Sequence, residues 1–220
     1  METLTIKDCL ILLCVHPEKG WIRKRSQIGY ALFSAALFDL VMRDCLRVEE
    51  GRIVAFMKET NDPLLDELML MMHTGNGNKF SWVLNKSALK SGKYYNKQIK
   101  YLENKRLIMS RPLEWLGITW GKRYRVNRPG GLKPVLTAMD RVLIYGREPD
   151  MKLRLLIELL GALGIVGKFF PAGELSGRAK ERYEKISKAP LSEHHESISA
   201  IKKWLRNSLR TSKGSSGSGF

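Results

Sequence analysis

Residues 28–48 read IGYALFSAALFDLVMRDCLRV, and the reading of this stretch decides the fold. Ile28–Arg43 is apolar almost all round, with Asp39 as its interior charge. A helix apolar on every side is buried on every side, so the segment predicts a central core helix. Gly29, Ala31, Ser34, Ala35 and Ala36 are small enough to let neighbouring helices approach closely. Beyond it, Leu46 and Val48 alternate with polar residues, Glu49-Glu50-Gly51 turns, and Ile53, Val54 and Phe56 return. That pattern predicts a β-hairpin over Cys45–Met57.

Working outward, Leu4–Val15 has the apolar density of a buried helix or strand, and His16–Gly20 is a turn by composition. Asn61-Asp62-Pro63 is a helix start, with a capping residue before a first-turn proline. The helix continues through Met72 until Gly75–Asn78 breaks it. Phe80–Leu89 predicts a short helix, and Tyr94–Lys105 a basic one, with Gly92 a break between them. Met109–Val126 predicts two strands joined near Leu116-Gly117. Leu132–Tyr145 predicts a helix interrupted by Pro134. Lys152–Val166 is a second core helix, Ser176–Lys188 a charged one and Ser192–Leu209 the last. Core segments spread from residue 4 to residue 209. The expectation is therefore a mainly α fold: one compact helical domain over 1–212 with β-hairpins, one apolar and protruding. A flexible tail, KGSSGSGF, follows over 213–220.

Composition narrows the function. The hydrophobic fraction of 44% supports a real core and excludes wholesale disorder. Three cysteines, Cys9, Cys14 and Cys45, form no CxxC pair and read as small core hydrophobes in a reducing compartment. Ile28–Met42 and Leu153–Val166 fall short of the ~20 residues of a spanning helix. Glu2, Lys7 and Asp8 make a poor leader for the apolar Cys9–Val15, so a cytoplasmic protein, peripheral on membranes, is expected. Lys plus Arg is 38 against 22 Asp plus Glu, a net charge of +16 that calls for an anionic partner, nucleic acid or a membrane surface.

Catalytic patterns are weak. His194-His195 cannot share one helical face, and no His or Cys lies at helical spacing from them. Asp62, Asp66 and Glu67 suit the positive end of a helix dipole. Gly75–Asn78 lacks the Lys-Ser/Thr of a phosphate loop. The expectation is a non-enzyme with no metal and no cofactor.

The binding signals are stronger. Trp21 precedes the basic group Arg23, Lys24 and Arg25. Lys90, Lys93, Lys97 and Lys100 recur at spacings that share a helix face. Leu113, Trp115, Leu116, Ile118 and Trp120 load the second hairpin with large apolar groups, either packed on the core or presented to a partner. Tryptophan suits a membrane interface, where one part of its ring is apolar and another wet. A helix followed by a basic hairpin is also the outline of a winged helix. In that alternative, helix 94–105 and hairpin 112–126 bind nucleic acid, with Arg123, Arg125 and Arg128 as a wing.

Four stretches together resemble one family. The opening LTIKDCLILLCV (4–15), the core segment 28–48, TNDPLLDEL (60–68) and YLENKRLI (101–108) before a hairpin are similar, in order, to the Golgi phosphoprotein 3 family. TNDPLLDEL is the most specific of them, and Leu153–Val166 also looks like the family's later apolar helix. The resemblance implies a mainly helical single domain that binds phosphatidylinositol 4-phosphate at a basic pocket. It implies an apolar hairpin that enters a membrane or mediates self-association, and a protein cargo. The family's pocket tryptophan falls near Lys24 or Arg25, a core-helix arginine near Phe33, and an arginine pair near Gly92 and Tyr95. The implied headgroup set here is Trp21, Arg23, Lys24, Arg25, Lys90, Lys93 and Lys97. Lysine cannot reproduce the arginine–phosphate fork, so general affinity for anionic headgroups is the expectation.

Overall fold

The computed structural model describes residues 4–88, 91–115, 118–127, 129–191 and 193–214. Helix α2 (Arg25–Val41) runs through the middle, buried without interruption from Ala31 to Val41. Around it pack α1 (Ile6–Cys14), α3 (Pro63–Thr74), α5 (Ser91–Asn104), α7 (Met151–Ala162) and α9 (His195–Gly214). The remaining helices are α4 (Phe80–Ala88), α6 (Pro129–Leu143) and α8 (Glu174–Lys188). Two antiparallel hairpins complete the fold: β1 (Leu46–Glu49) with β2 (Arg52–Ala55), and β3 (Ile108–Trp115) with β4 (Ile118–Val126). A single apolar core runs from Ile6 to Leu209.

The start of α1 shows how sequence becomes packing. Thr5 and Asp8 form a reciprocal capping box. The next two N–H groups, of Ile6 and Lys7, donate to the Asp39 carboxylate of α2 at 2.9 and 3.1 Å. The charge inside the core helix thus closes the open end of α1 and fixes the two helices to each other. At α3, Asp62 accepts from the N–H groups of Leu64 and Leu65, with Pro63 opening the first turn.

Several boundaries differ from the sequence expectation. Helix α2 begins at Arg25 rather than Ile28, after Lys24 in a left-handed conformation. Gly92 does not break the chain but lies in the first turn of α5, where its missing side chain matters little. Pro134 does not interrupt α6. Helix α7 stops at Ala162, because Gly164 turns left-handed, and a short 3₁₀ turn over Val166–Phe169 follows. Gly161 permits a close approach of α8, since a Cβ there would fall 2.0 Å from the Tyr183 ring. Helix α9 starts at His195 rather than Ser192, and its backbone continues to Gly214, past the start expected for the tail. The rest of that tail lies outside the described residues.

Candidate functional site

The base of the second hairpin is tied to the loop that carries Trp21. The Tyr124 N–H donates to the Gly20 carbonyl at 2.6 Å, and Val15 bridges Ile22. Gly20 has a φ of +69°, and a Cβ there would sit 2.8 Å from the Tyr124 carbonyl oxygen. Only glycine allows the loop and strand so close. This contact brings the start of α2 beside β4.

Between them lies a groove of about 490 Å³, lined by Arg25 of α2, Tyr95, Asn96 and Lys100 of α5, and Lys122 and Tyr124 of β4. Three cations, Arg25, Lys100 and Lys122, line it together with one carboxylate, Glu103. The Tyr95 hydroxyl is buried beside Tyr124, and burial first, then Tyr124, pushes its pKa up.

Not every expected headgroup residue joins this groove. Trp21 is 45% exposed and stacks on His16 with ring centroids 5.3 Å apart. Arg23 reaches over the Phe169 ring, 5.7 Å from its centroid. Lys24 is exposed beside Arg25. Lys93 and Lys97 point to α3, where both pair with Glu67, Lys93 at 3.7 Å. Hydrogen bonding to Lys97, the largest effect, holds the Glu67 carboxylate below its usual range. The lysine stripe is therefore divided: Lys93 and Lys97 meet a carboxylate, while Lys100 turns to the groove. Lys90 lies outside the described residues. Lys122 and Asn96 carry no sequence signal of their own; a cross-strand register and a helix phase bring them into the groove.

The outer part of the hairpin is unusually apolar for a surface. Ile118 and Trp120 are 70% and 69% exposed. Leu113 pairs with Gly121 and Glu114 with Thr119, so Trp120 is the extra residue of a β-bulge. Leu113 is half-buried, its Cδ1 3.5 Å from where a Gly121 Cβ would stand. Trp115 ends β3, but its side chain and all of Leu116 lie outside the described residues. Nearer the base, Arg111 stands directly opposite Arg123. Like charges facing across a pair are unfavourable, and an anion beside them relieves the repulsion.

The buried charged cluster at the start of α1 is satisfied internally. Lys7 is fully buried, with Nζ 2.7 Å from Asp62, 3.4 Å from Asp8 and 3.0 Å from the Gln98 oxygen. Gln98 donates its amide N–H to Asp8 at 2.6 Å, and Asp66 accepts from the Thr60 hydroxyl at 2.6 Å. Burial pushes the Cys9 and Cys14 thiols up to about 12, as befits core residues. No helix among the described residues is long and apolar enough to cross a membrane.

A comparison with curated proteins finds no match. The Golgi phosphoprotein 3 (GPP34) family model matches residues 6–211, nearly the whole chain, from the start of α1 into the last turn of α9. This chain belongs to the Golgi phosphoprotein 3 (GPP34) family.

Proposed function

We propose that this protein attaches peripherally to anionic phospholipid membranes, with the β3–β4 tip inserted and the adjoining cations on the headgroups. The observation that carries the reading is the pairing of Ile118 and Trp120, each about 70% exposed, with Arg111, Arg123 and Lys122 on the same hairpin. Burying one tryptophan contributes at most roughly 4–6 kcal/mol, from ~150–250 Å² at ~25 cal/mol per Å². Each basic residue near an anionic surface adds about 1 kcal/mol. One tryptophan and a few cations suffice for reversible attachment. The groove of Arg25, Lys100 and Lys122 receives the phosphorylated headgroup, and phosphatidylinositol 4-phosphate is the headgroup that family membership favours. The apolar tip also offers a surface for self-association, and the exposed helices offer a surface for a protein cargo.

Vesicle co-sedimentation tests this reading with neutral, anionic and phosphatidylinositol 4-phosphate vesicles at matched charge, and a duplex DNA arm in parallel. The expected result is binding to anionic vesicles and preference for the phosphoinositide. The Ile118→Ala/Trp120→Ala variant is expected to lose at least about tenfold in affinity, and Lys122→Glu to lose the headgroup preference. Indifference to every vesicle, with salt-sensitive DNA binding instead, would overturn the reading and promote the nucleic-acid alternative. That alternative is weakened by Glu67, which already engages Lys93 and Lys97 on its recognition helix and halves their charge.

A further inference from the structure

A second cavity, of about 620 Å³, opens where α1, α6 and α7 meet the base of the β3–β4 hairpin. Its floor is apolar and fully buried: Ile6, Cys9 and Leu12 of α1 and Leu156 of α7. Its walls are the half-buried Val135 and Ala138 of α6. The volume falls within the ~300–1,000 Å³ of small-molecule sites, whose walls are mostly apolar with a few polar groups that fix orientation. Water gains little in such a cleft, because it finds few partners there.

The polar groups lie at the rim and have a sign. Two exposed lysines, Lys105, with its Nζ 5.5 Å from the centroid of the Tyr101 ring, and Lys152, border the cavity with one carboxylate, Asp150. That carboxylate is engaged locally: it caps α7 by accepting from the Leu153 N–H at 2.7 Å. Lys152 donates to the Leu4 carbonyl, which holds its charge over the edge of the cleft. An apolar trough with cations at its mouth is complementary to an aliphatic chain that ends in an anion. A hydrocarbon chain fills the trough without needing hydrogen bonds, and the lysines meet its head. The volume suits one chain rather than the paired tails of a bilayer lipid.

We infer that the cleft between α1, α6 and α7 binds a free long-chain carboxylate, its tail on Ile6, Cys9, Leu12 and Leu156 and its head at Lys105 and Lys152. This site is separate from the groove of Arg25 and Lys122 and does not depend on membrane attachment.

Calorimetric titration of the full chain in vesicle-free buffer tests the inference, with decanoate, dodecanoate and tetradecanoate below micelle formation. Affinity is expected to rise about fourfold per added methylene, from ~0.8 kcal/mol each. Dodecanoate is expected to bind tighter than dodecanol, and Lys152→Glu to abolish that difference. Ala138→Phe is expected to block the cleft. Gly131→Phe serves if that variant fails to fold, because a Cβ at Gly131 meets no atom within 4 Å. No saturable binding, no dependence on chain length, or unchanged binding by a folded blocked variant each overturns the inference. Dodecanol binding as tightly as dodecanoate overturns it too, as does displacement of dodecanoate by a short-chain phosphatidylglycerol kept below micelle formation, which would make a bilayer lipid the occupant. The Ile118→Ala/Trp120→Ala variant is expected to bind dodecanoate normally, so failure of the membrane reading leaves this result standing.

Discussion

The hairpins β1–β2 and β3–β4 are both antiparallel pairs of alternating strands, yet they meet opposite surroundings. In the first, Leu46, Val48, Ile53 and Ala55 all face the core. Its turn, Glu50-Gly51, has positive φ at both positions, as a tight two-residue connection requires. Its outer N–H groups are taken by α9 and the loop after α3: Val48 donates to Ser197 at 2.8 Å, Gly51 to Glu196 at 2.9 Å and Ala55 to Asn76 at 2.7 Å. The second hairpin is anchored at its base, where Tyr124 donates to Gly20, and it presents Ile118 and Trp120 to solvent. The difference is one of satisfaction. A large apolar side chain with neighbours on all sides explains its own presence; one without them points to a partner. The Lys7 cluster teaches the same lesson with the sign reversed, since a charge inside the core is explained by Asp62, Asp8 and Gln98 around it.

The largest effect is expected where satisfaction is most complete. Replacing Lys7 by Met leaves Asp62 and Asp8 buried without their cation, which costs about 3–5 kcal/mol. Urea unfolding measures it, and a loss under about 1 kcal/mol would mean that water reaches the cluster. Next come the hairpins themselves. Leu46→Ala is expected to cost about 2–5 kcal/mol of stability. The Ile118→Ala/Trp120→Ala pair is expected to stay within about 0.5 kcal/mol while vesicle affinity falls. Equal destabilisation by the two changes would erase the distinction between a packed hairpin and a presented one.

Legibility in the sequence follows the same division. Helix α2, hairpin β1–β2 and the Asp62-Pro63 helix start were readable because their signals are local: an apolar run, a period of two, a cap followed by proline. An apolar hairpin was readable at β3–β4, but its tryptophans suited core packing as well as presentation, and the exposure of Trp120 decides between them. The bulge that makes Trp120 the extra residue was not readable, because register is a relation between strands. The cationic site was readable in charge but not in membership. Spacing put Lys93, Lys97 and Lys100 on one stripe, yet Glu67 lies on a different helix and Lys122 on a strand. The ends of α2, α7 and α9 shifted because left-handed residues and neighbouring helices set them.

A third prediction concerns pH and again tests a satisfied group. Burial raises the Asp39 pKa to about 6 from 3.8, against the hydrogen bonds from Ile6 and Lys7, which lower it. The folded state therefore holds a proton that the unfolded state has released between those values. Asp39 contributes stability in full below about pH 4, and this contribution is lost as pH rises through about 6, on the order of 2–3 kcal/mol. Unfolding measured from pH 4 to pH 7 should carry this falling component, and Asp39→Asn should remove it. A variant with an unchanged slope would show that the N–H groups at the start of α1 outweigh burial.

The smallest effect expected is at Glu67, and it connects the two kinds of region. Glu67 is partly exposed and holds Lys93 and Lys97, so the folded domain uses it little: Glu67→Gln should change stability by less than about 0.5 kcal/mol. The two lysines then lose their carboxylate and face outward. If α5 lies near the membrane surface when the hairpin inserts, each unit of positive charge gained there is worth about 1 kcal/mol, or roughly a fivefold gain in anionic-vesicle affinity at low salt. The gain should fade as salt shortens the screening length to about 8 Å at physiological strength. If affinity does not change at any salt, the Lys93–Lys97 face of α5 points away from the bilayer. Attachment then rests on the hairpin and on Arg25, Lys100 and Lys122, and the Lys93–Lys97 face is a structural contact between α5 and α3.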